Sequence, residues 1–302
     1  MTAPDQSGQG SGAEPGQQPP PVCYRHPGRE TYVSCVRCGR YACPDCLRSA
    51  AVGQQCVECV RGGNRGARQA RTVFGGRPTR SAIVTWTILG INVLLYLVEL
   101  AHTSLANDWA LLGYASPSGY PPYQGIASGQ WYRLLTSAFL PGTGSLGFMD
   151  ILFNMWALAF VGPGLEQLLG RVRFLGVYLL SAIGGGVMFY WIVAPNQPAL
   201  GASGAIFGLF AAWFVVSRRL RLDTRGIVVL IAINLAFGFF DRNIAWQDHL
   251  GGLIVGAVIT AAYAYAPRKG RLAIQLGATA AVVVILVVAV VIRTAQIKSG
   301  AI

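Results

Sequence analysis

Seven long apolar segments dominate this chain and restrict the folds that it can adopt. They cover about residues 82–101, 149–165, 172–193, 203–217, 226–240, 249–266 and 272–292. A helix needs roughly 20 mostly apolar residues to cross a bilayer. The whole chain is 53% apolar and only 12% charged, far from the roughly 25% charge of a soluble domain. The sequence therefore predicts an all-α, polytopic membrane protein whose shorter second, fourth and fifth segments border a water-filled cavity.

The basic residues predict how these segments are oriented. The formal net charge is +12, and arginines concentrate before the first segment and after the second, fourth and sixth. Short cytoplasmic loops are enriched in Lys and Arg. We therefore expect a multi-pass protein of the plasma membrane with a cytoplasmic N-terminus and, after seven spans, an external C-terminus. Because the positive charge follows the bilayer, nucleic acid is not an expected partner.

Composition divides the chain into five parts. Residues 1–21 are rich in Gly, Gln, Pro and Ser and predict a disordered tail. Residues 22–60 hold all seven cysteines and predict a zinc-binding head, and residues 61–80 form a basic linker suited to an anionic membrane surface. Residues 81–293 form the membrane domain, and 294–302 a terminal tail. Within the membrane domain, the aromatic-rich connection 102–148 is expected to lie in the outer interface.

The head contains four Cys/His pairs, each with two intervening residues. They are Cys23 with His26, Cys35 with Cys38, Cys43 with Cys46 and Cys56 with Cys59. This spacing lets both members of a pair reach one ion, and eight ligands suffice for two tetrahedral zinc sites. Redox pairs or unligated cysteines are the alternatives. The first pair joins the third in a cross-brace, or the pairs follow one another in sequence. Either way the sites are closed and structural, so we expect the head to bind a cytoplasmic protein or to stabilise the cytoplasmic face.

A serine and a histidine are expected at one depth in the membrane. Ser203 begins the fourth segment and His249 the sixth, and both segments start from the outer side. Glycines and alanines surround each residue, which lets two helices approach closely. Small residues with a serine are also ordinary packing material, but an intramembrane histidine is usually functional. The pattern predicts a Ser/His dyad, with Phe207 on the serine's helix face. Asp248 is not expected to form a triad, because adjacent helical residues do not face each other.

Several ordered motifs of the chain resemble those of bacterial rhomboid intramembrane serine proteases. They are Trp131-Tyr132-Arg133, Ile151-Leu152-Phe153-Asn154-Met155, Gly162-x-x-x-Glu166-x-x-x-Gly170, Gly201-Ala202-Ser203-Gly204-Ala205-Ile206-Phe207-Gly208 and His249-Leu250-Gly251-Gly252. The head resembles the B-box-type zinc fingers that some bacterial rhomboids carry. The resemblance implies a rhomboid six-helix core plus a seventh helix, with Ser203 as nucleophile and His249 as general base. It implies that Asn154 and the Ser203 N–H form the oxyanion hole.

The resemblance also implies the substrate and the moving parts. The substrate is a transmembrane segment of another membrane protein, residues 241–248 form a movable cap, and the fifth segment is a lateral gate. The chain departs from the family at two positions, where Asp150 and Pro141 replace histidines. We expect Asp150 in the oxyanion region, where a protonated carboxyl could donate a hydrogen bond. Two alternatives remain: a pseudoprotease that binds transmembrane helices, and a seven-helix receptor or transporter with a zinc adaptor.

Overall fold

The computed structural model describes residues 19–66, 71–102, 104–116, 123–142, 147–240 and 244–300, with side chains up to residue 63 in the first range. The chain divides into two compact units between residues 69 and 70. Most of the predicted disordered tail, residues 1–21, lies outside the described residues. Residues 241–243, at the start of the predicted cap, also lie outside them.

The first unit is a small cysteine-rich domain. Strand β1 (Val22–Cys23) pairs antiparallel with β2 (His26–Glu30), β3 (Leu47–Ser49) pairs antiparallel with β4 (Gln54–Cys56), and helix α1 (Val57–Gly66) follows. Its buried apolar core consists of five cysteines with Ala42 and Leu47. Hydrophobic burial on this scale rarely stabilises so small a domain, so metal ions or cross-links usually add to it.

The second unit contains a helix at each of the seven predicted segments. They are α2 (Ile83–Ala101), α5 (Gly147–Leu169), α6 (Arg171–Ile192), α7 (Ser203–Leu220), α8 (Arg225–Phe240), α9 (Trp246–Tyr265) and α10 (Arg271–Lys298). The connection after α2 holds two short helices, α3 (Ser104–Trp109) and α4 (Arg133–Thr136). Among the described residues, α2, α5, α6, α7 and α10 are long and apolar enough to cross a membrane, and α8 is a shorter apolar helix. The chain is a multi-pass, mostly helical membrane protein with a small domain that fits metal binding.

Helices α5 and α10 continue past their apolar runs, and α1 extends past the predicted head. Helix α5 spans 23 residues and so is not short; it passes through Pro163 and ends with a polar turn that includes buried Glu166. Helix α10 continues to Lys298, beyond the predicted end at 293, because Arg293 and Ile297 are buried on its packed face. Helix α1 begins in the predicted head, where its first turn carries Cys59 of a cysteine cluster, and it extends to Gly66 in the predicted linker 61–80.

Helices α6, α7 and α9 form the close-packed centre of the membrane unit. A Cβ atom at Gly252 would overlap the carbonyl group of Gly204, 2.6 Å from its carbon. One turn further along, a Cβ at Gly256 would lie 2.8 Å from the carbonyl carbon of Gly208. Real Cβ atoms essentially never come within 3.0 Å of atoms elsewhere in the fold. Glycine is therefore required along this seam, as expected where membrane helices approach backbone to backbone.

Two buried charged side chains hold the unit's polar segments. Arg133 is 1% exposed and donates to the carbonyl oxygens of Asn107 (2.9 Å) and Ala110 (2.8 Å), which fixes the connection after α2. Glu166 is fully buried and accepts from the N–H groups of Val84 (3.1 Å) and Thr85 (2.8 Å). These N–H groups have no partner within α2 because they open the helix. Glu166 therefore caps the N-terminus of α2.

Candidate active site and metal centres

Ser203 occupies the first position of α7 and is half-buried. The chain enters the helix through Gly201, whose φ of +143° is rarely open to other residues. The Gly201 N–H donates to the carbonyl oxygen of Ser137 (3.1 Å), and a bridge between Leu111 and Ala199 ties the same segment to the connection after α2. The first N–H groups of a helix carry partial positive charge and have no intrahelical acceptor. The Ser203 hydroxyl thus lies beside a natural anion-binding element.

His249 lies in the first turn of α9 and is 6% exposed. Its ring stacks on Phe207, with centroids 4.2 Å apart and planes inclined by 10°. Phe207 is one turn after Ser203 on the same helix face, as the spacing predicts. Gly238 of α8 faces another side of the His249 ring, because a Cβ at this glycine would lie 3.4 Å from the ring's Nδ1. Within the described residues, this Nδ1 is buried and has no hydrogen-bond partner.

The crossing of α7 and α9 brings these two helix starts together. The backbones meet where Gly204 faces Gly252. Ser203 immediately precedes the first glycine, and His249 lies three residues, almost one turn, before the second. Phe207 bridges the two helices by stacking on His249. Both predicted residues therefore lie beside the same crossing of α7 and α9.

Asn154 and Asp150 lie one turn apart on α5 and are hydrogen-bonded. The Asn154 Nδ2 donates to Asp150 Oδ1 (2.9 Å), and the Gly142 N–H donates to Asp150 Oδ2 (2.9 Å). Both carboxyl oxygens of Asp150 thus accept, which suits an ionised carboxylate. A narrow crevice is lined by Asp150 and Asn154 together with Ala202 and Pro141. A Cβ atom at Gly201 would lie 3.4 Å from Ser203 Oγ and 3.7 Å from Asp150 Oδ2.

Asp248 contacts glycines of two neighbouring helices, as glycine-lined packing rather than a catalytic triad would require. Its carboxylate packs between Gly204 of α7 and Gly185 of α6, with its Cγ 2.8 Å from where a Cβ of either glycine would lie. It faces the Gly204 backbone at the start of α7. The start of α7 therefore lies between two carboxylates. Sequence analysis missed this slot, because the two glycines that form it are ordinary packing residues until Asp248 is placed against them.

The eight predicted metal ligands form two clusters in the first unit. Cys23, His26, Cys43 and Cys46 make one, and Cys35, Cys38, Cys56 and Cys59 make the other; the ligand atoms of each lie within 4.8 Å of one another. The first pair is thus joined to the third and the second to the fourth, which is the cross-brace. The sequential alternative is wrong, because interleaved pairs share the compact core between β1 and α1.

The spacing of these atoms suits a tetrahedral ion. Zn–S bonds of about 2.3 Å and Zn–N bonds of about 2.0 Å place tetrahedral ligands about 3.5–3.8 Å apart. The His26 Nδ1 lies 3.4 Å from the Cys43 Sγ and 3.5 Å from the Cys46 Sγ, and the Sγ atoms of Cys38 and Cys56 are 3.8 Å apart. A hydrogen bond from the Cys56 N–H lowers the pKa of the Cys35 thiol to about 6. A thiolate is the form that binds metal.

Comparison with known proteins gives one consistent family. The model of the Rhomboid domain matches residues 128–266, which include Ser203, His249, Asn154 and Asp150. Rhomboid protease GluP of Bacillus subtilis (strain 168) is 34% identical over 207 residues, which are 67% of this chain and 38% of GluP. YdcA of the same organism, also named for the rhomboid family, is 37% identical over 183 residues, or 59% of this chain and 86% of YdcA. Rhomboid protease AarA of Providencia stuartii is 27% identical over 219 residues, or 63% and 75% of the two chains.

This chain spans well under half of GluP but most of YdcA and AarA. The matched region begins in the connection that Arg133 holds and ends just after α9. It therefore contains the whole α6, α7 and α9 centre with its serine and histidine. An identity of 37% over nearly the full length of one relative, in the region with this geometry, places the chain in the rhomboid family.

Proposed function

We propose that this chain is an intramembrane serine endopeptidase that cleaves transmembrane segments of other membrane proteins. One observation carries the proposal. Ser203 and His249 lie at the starts of α7 and α9, which cross at facing glycines, and Phe207 of α7 stacks on the His249 ring. A serine hydroxyl is a weak nucleophile until a neighbouring base takes its proton. A buried neutral imidazole at the same depth can supply that base.

The proposed reaction has two halves. Ser203 Oγ attacks the scissile carbonyl carbon while His249 takes the hydroxyl proton. His249 then passes this proton to the leaving amine, and an ester to Ser203 remains. Water, with His249 again as base, hydrolyses the ester and restores the serine. The glycine at 201, with its positive φ, keeps the approach to Ser203 free of a side chain.

The oxyanion hole is proposed to consist of the Ser203 N–H and the Asn154 side-chain amide. Preset donors of this kind are worth about 3–4 kcal/mol in the transition state. The Asn154 amide has two N–H bonds, and Asp150 accepts only one. We propose that Asp150 orients this amide so that the second N–H faces the crevice. This role differs from that of a protonated Asp150 that itself donates to the oxyanion.

Membrane topology and substrate entry follow the same proposal. The N-terminus is cytoplasmic and the C-terminus external in the plasma membrane, so the serine opens toward the outer side. Helix α8 is the proposed lateral gate, since Gly238 is its only buried residue and apolar side chains such as Phe237 and Phe240 are exposed. Cysteine substitutions at either end of α10, probed with an impermeant thiol reagent, test the orientation.

We also propose that the two cysteine clusters hold structural zinc ions. All four ligands of each site come from side chains, so zinc would crosslink β1, β2, β4 and α1 and leave no open position for chemistry. The head would then present a folded surface to a cytoplasmic protein partner. The two clusters support any soft divalent metal, and elemental analysis of the purified protein identifies the ion.

Fluorophosphonate labelling of the detergent-purified full chain tests the protease proposal. We expect wild-type labelling that Ser203→Ala abolishes and His249→Ala slows by about 100-fold or more. Ser217→Ala, which changes another buried serine of α7, and His102→Ala, which changes an exposed histidine, are the matched controls and should label normally. If the folded wild type does not label, the helix-binding pseudoprotease becomes the better proposal.

A further inference from the structure

Three arginines from distant parts of the membrane unit converge at the start of α6 and α10. Arg71 lies before α2, Arg173 in the first turn of α6 and Arg271 at the first position of α10. A Cβ atom at Gly75 would lie 3.4 Å from Arg271 Nη1 and 3.7 Å from Arg173 Nη2. Arg71 Nη1 donates to the Gly75 carbonyl oxygen (3.2 Å). Arg173 therefore has two like-charged neighbours around Gly75.

Within the described residues, no carboxylate pairs with these three side chains. Arg173 donates twice to Gln275 Oε1 (2.9 and 2.6 Å), and Arg271 donates to the carbonyl oxygen of Val73 (3.1 Å). These neutral acceptors position the guanidinium groups without cancelling their charge. Glu166 is occupied by the N-terminus of α2 and lies 3.7 Å from Arg171. Each guanidinium has five N–H donors, so donors remain for a further acceptor.

The backbone adds to the same positive field. Helices α6 and α10 both begin here, and a helix N-terminus carries about half a positive charge. Like charges held together are costly unless a counter-charge joins them. Three guanidinium groups around two helix starts match the oxygens of a phosphate group, which arginine binds through paired N–H bonds.

Apolar side chains next to the arginines indicate the source of the phosphate. Val73 is 61% exposed, Val172 is 84% exposed and Leu272 is 59% exposed, and each adjoins this cluster in sequence or in space. A soluble phosphate compound would gain nothing from this apolar border, whereas acyl chains would cover it. Basic pockets between membrane helices on the cytoplasmic side are suited to lipid head groups.

We propose that Arg71, Arg173 and Arg271 form a binding site for the phosphate of an anionic phospholipid, at the end of the bundle where α6 and α10 begin. This inference does not depend on protease activity. A bound lipid would join the segment before α2 to the first turns of α6 and α10. It would thereby fasten the added seventh helix to the core.

Lipid exchange tests the site. The full chain is placed in phosphatidylcholine vesicles with and without a fluorescent phosphatidylglycerol. Binding is measured by energy transfer to this lipid from the protein's tryptophans, of which Trp86 near the start of α2 lies at the same end of the bundle as the site. We expect Arg71→Gln and Arg271→Gln each to weaken binding about fivefold. Arg218→Gln at the end of α7 removes an equal charge from the same end of the bundle and should change binding less than about twofold. Arg71 is exposed, so its substitution should leave the fold intact.

Two outcomes overturn the proposal. Equal weakening by all three substitutions would mean that the lipid responds only to general surface charge. Binding of inorganic phosphate that depends on Arg71 and Arg271, without matching dependence for the lipid, would assign the site to a free anion. Arg173→Lys provides a second check: it keeps the charge but loses the guanidinium fork, and should weaken lipid binding while the helical signal stays unchanged.

Discussion

Substitution of Gly252 by alanine tests the geometry on which the proposed active site depends. The new Cβ would overlap the Gly204 carbonyl group, so α9 would have to move by more than about 1 Å to restore ordinary contact. Ser203 adjoins Gly204, and His249 lies one turn before Gly252, so this movement changes the separation of nucleophile and base. A misplacement of about 1 Å can cost about 100-fold in rate. Overpacking of a filled core also costs about 1–3 kcal/mol in stability.

The assay is the rate of fluorophosphonate labelling, measured together with the unfolding temperature in detergent. We expect Gly252→Ala to slow labelling about 100-fold and to lower the unfolding temperature. The matched control is Gly277→Ala in α10, where a Cβ would meet no atom within 4 Å. It should label at the wild-type rate. Wild-type labelling by Gly252→Ala would refute the backbone contact between α7 and α9 as the element that sets the dyad.

Three further predictions test other parts of the structure. Asp150→Ala frees the Asn154 amide and should slow labelling by up to about 100-fold with little loss of stability; an unchanged rate would contradict the orienting role. Cys23→Ser and Cys35→Ser should each remove one of two zinc ions by elemental analysis, and loss of both ions from either variant would contradict independent sites. Glu166→Gln should lower the free energy of unfolding by about 1–3 kcal/mol, measured by denaturant titration, whereas exposed Asp108→Asn should not; equal effects would reject the helix cap.

Local patterns explain what the sequence could predict. Apolar runs give the seven helices, and the two-residue spacing gives all eight members of the two Cys/His clusters, because both signals lie within a few residues. The stacking of Phe207 on His249 was also accessible, since Ser203 and Phe207 share one helix face. The bond between Asp150 and Asn154 follows the same one-turn spacing and could have been found.

Contacts between distant segments explain what the sequence could not predict. Arg71, Arg173 and Arg271 are separated by about a hundred residues at each step, and only the packing of α6 against α10 brings them together. Helix ends were misplaced for a related reason. The final turns of α5 and α10 are polar, yet Glu166 and Arg293 find partners on other helices. Hydropathy alone therefore ends each helix at its first polar residues, although these residues are paired with other helices.

The slot that receives Asp248 allows a paired test of packing beside the proposed nucleophile. Gly204→Ala places a Cβ against the Asp248 carboxylate, 2.8 Å from its Cγ, and the three atoms nearest to that Cβ all belong to Asp248. Alone, the substitution should destabilise the protein by about 1–3 kcal/mol. In an Asp248→Ala background the clash disappears, so the same substitution should cost close to nothing. Residues in contact show such coupling, whereas separated residues add.

Gly208→Ala supplies the comparison, because its Cβ would instead overlap Ser181. Asp248→Ala should not relieve that clash, and the two effects should add within about 0.5 kcal/mol. Unfolding of all single and double variants in one detergent gives both coupling energies. If Gly204→Ala costs as much without Asp248 as with it, the carboxylate does not occupy the slot. Gly204 would then be needed only for the close approach of α9 to α7.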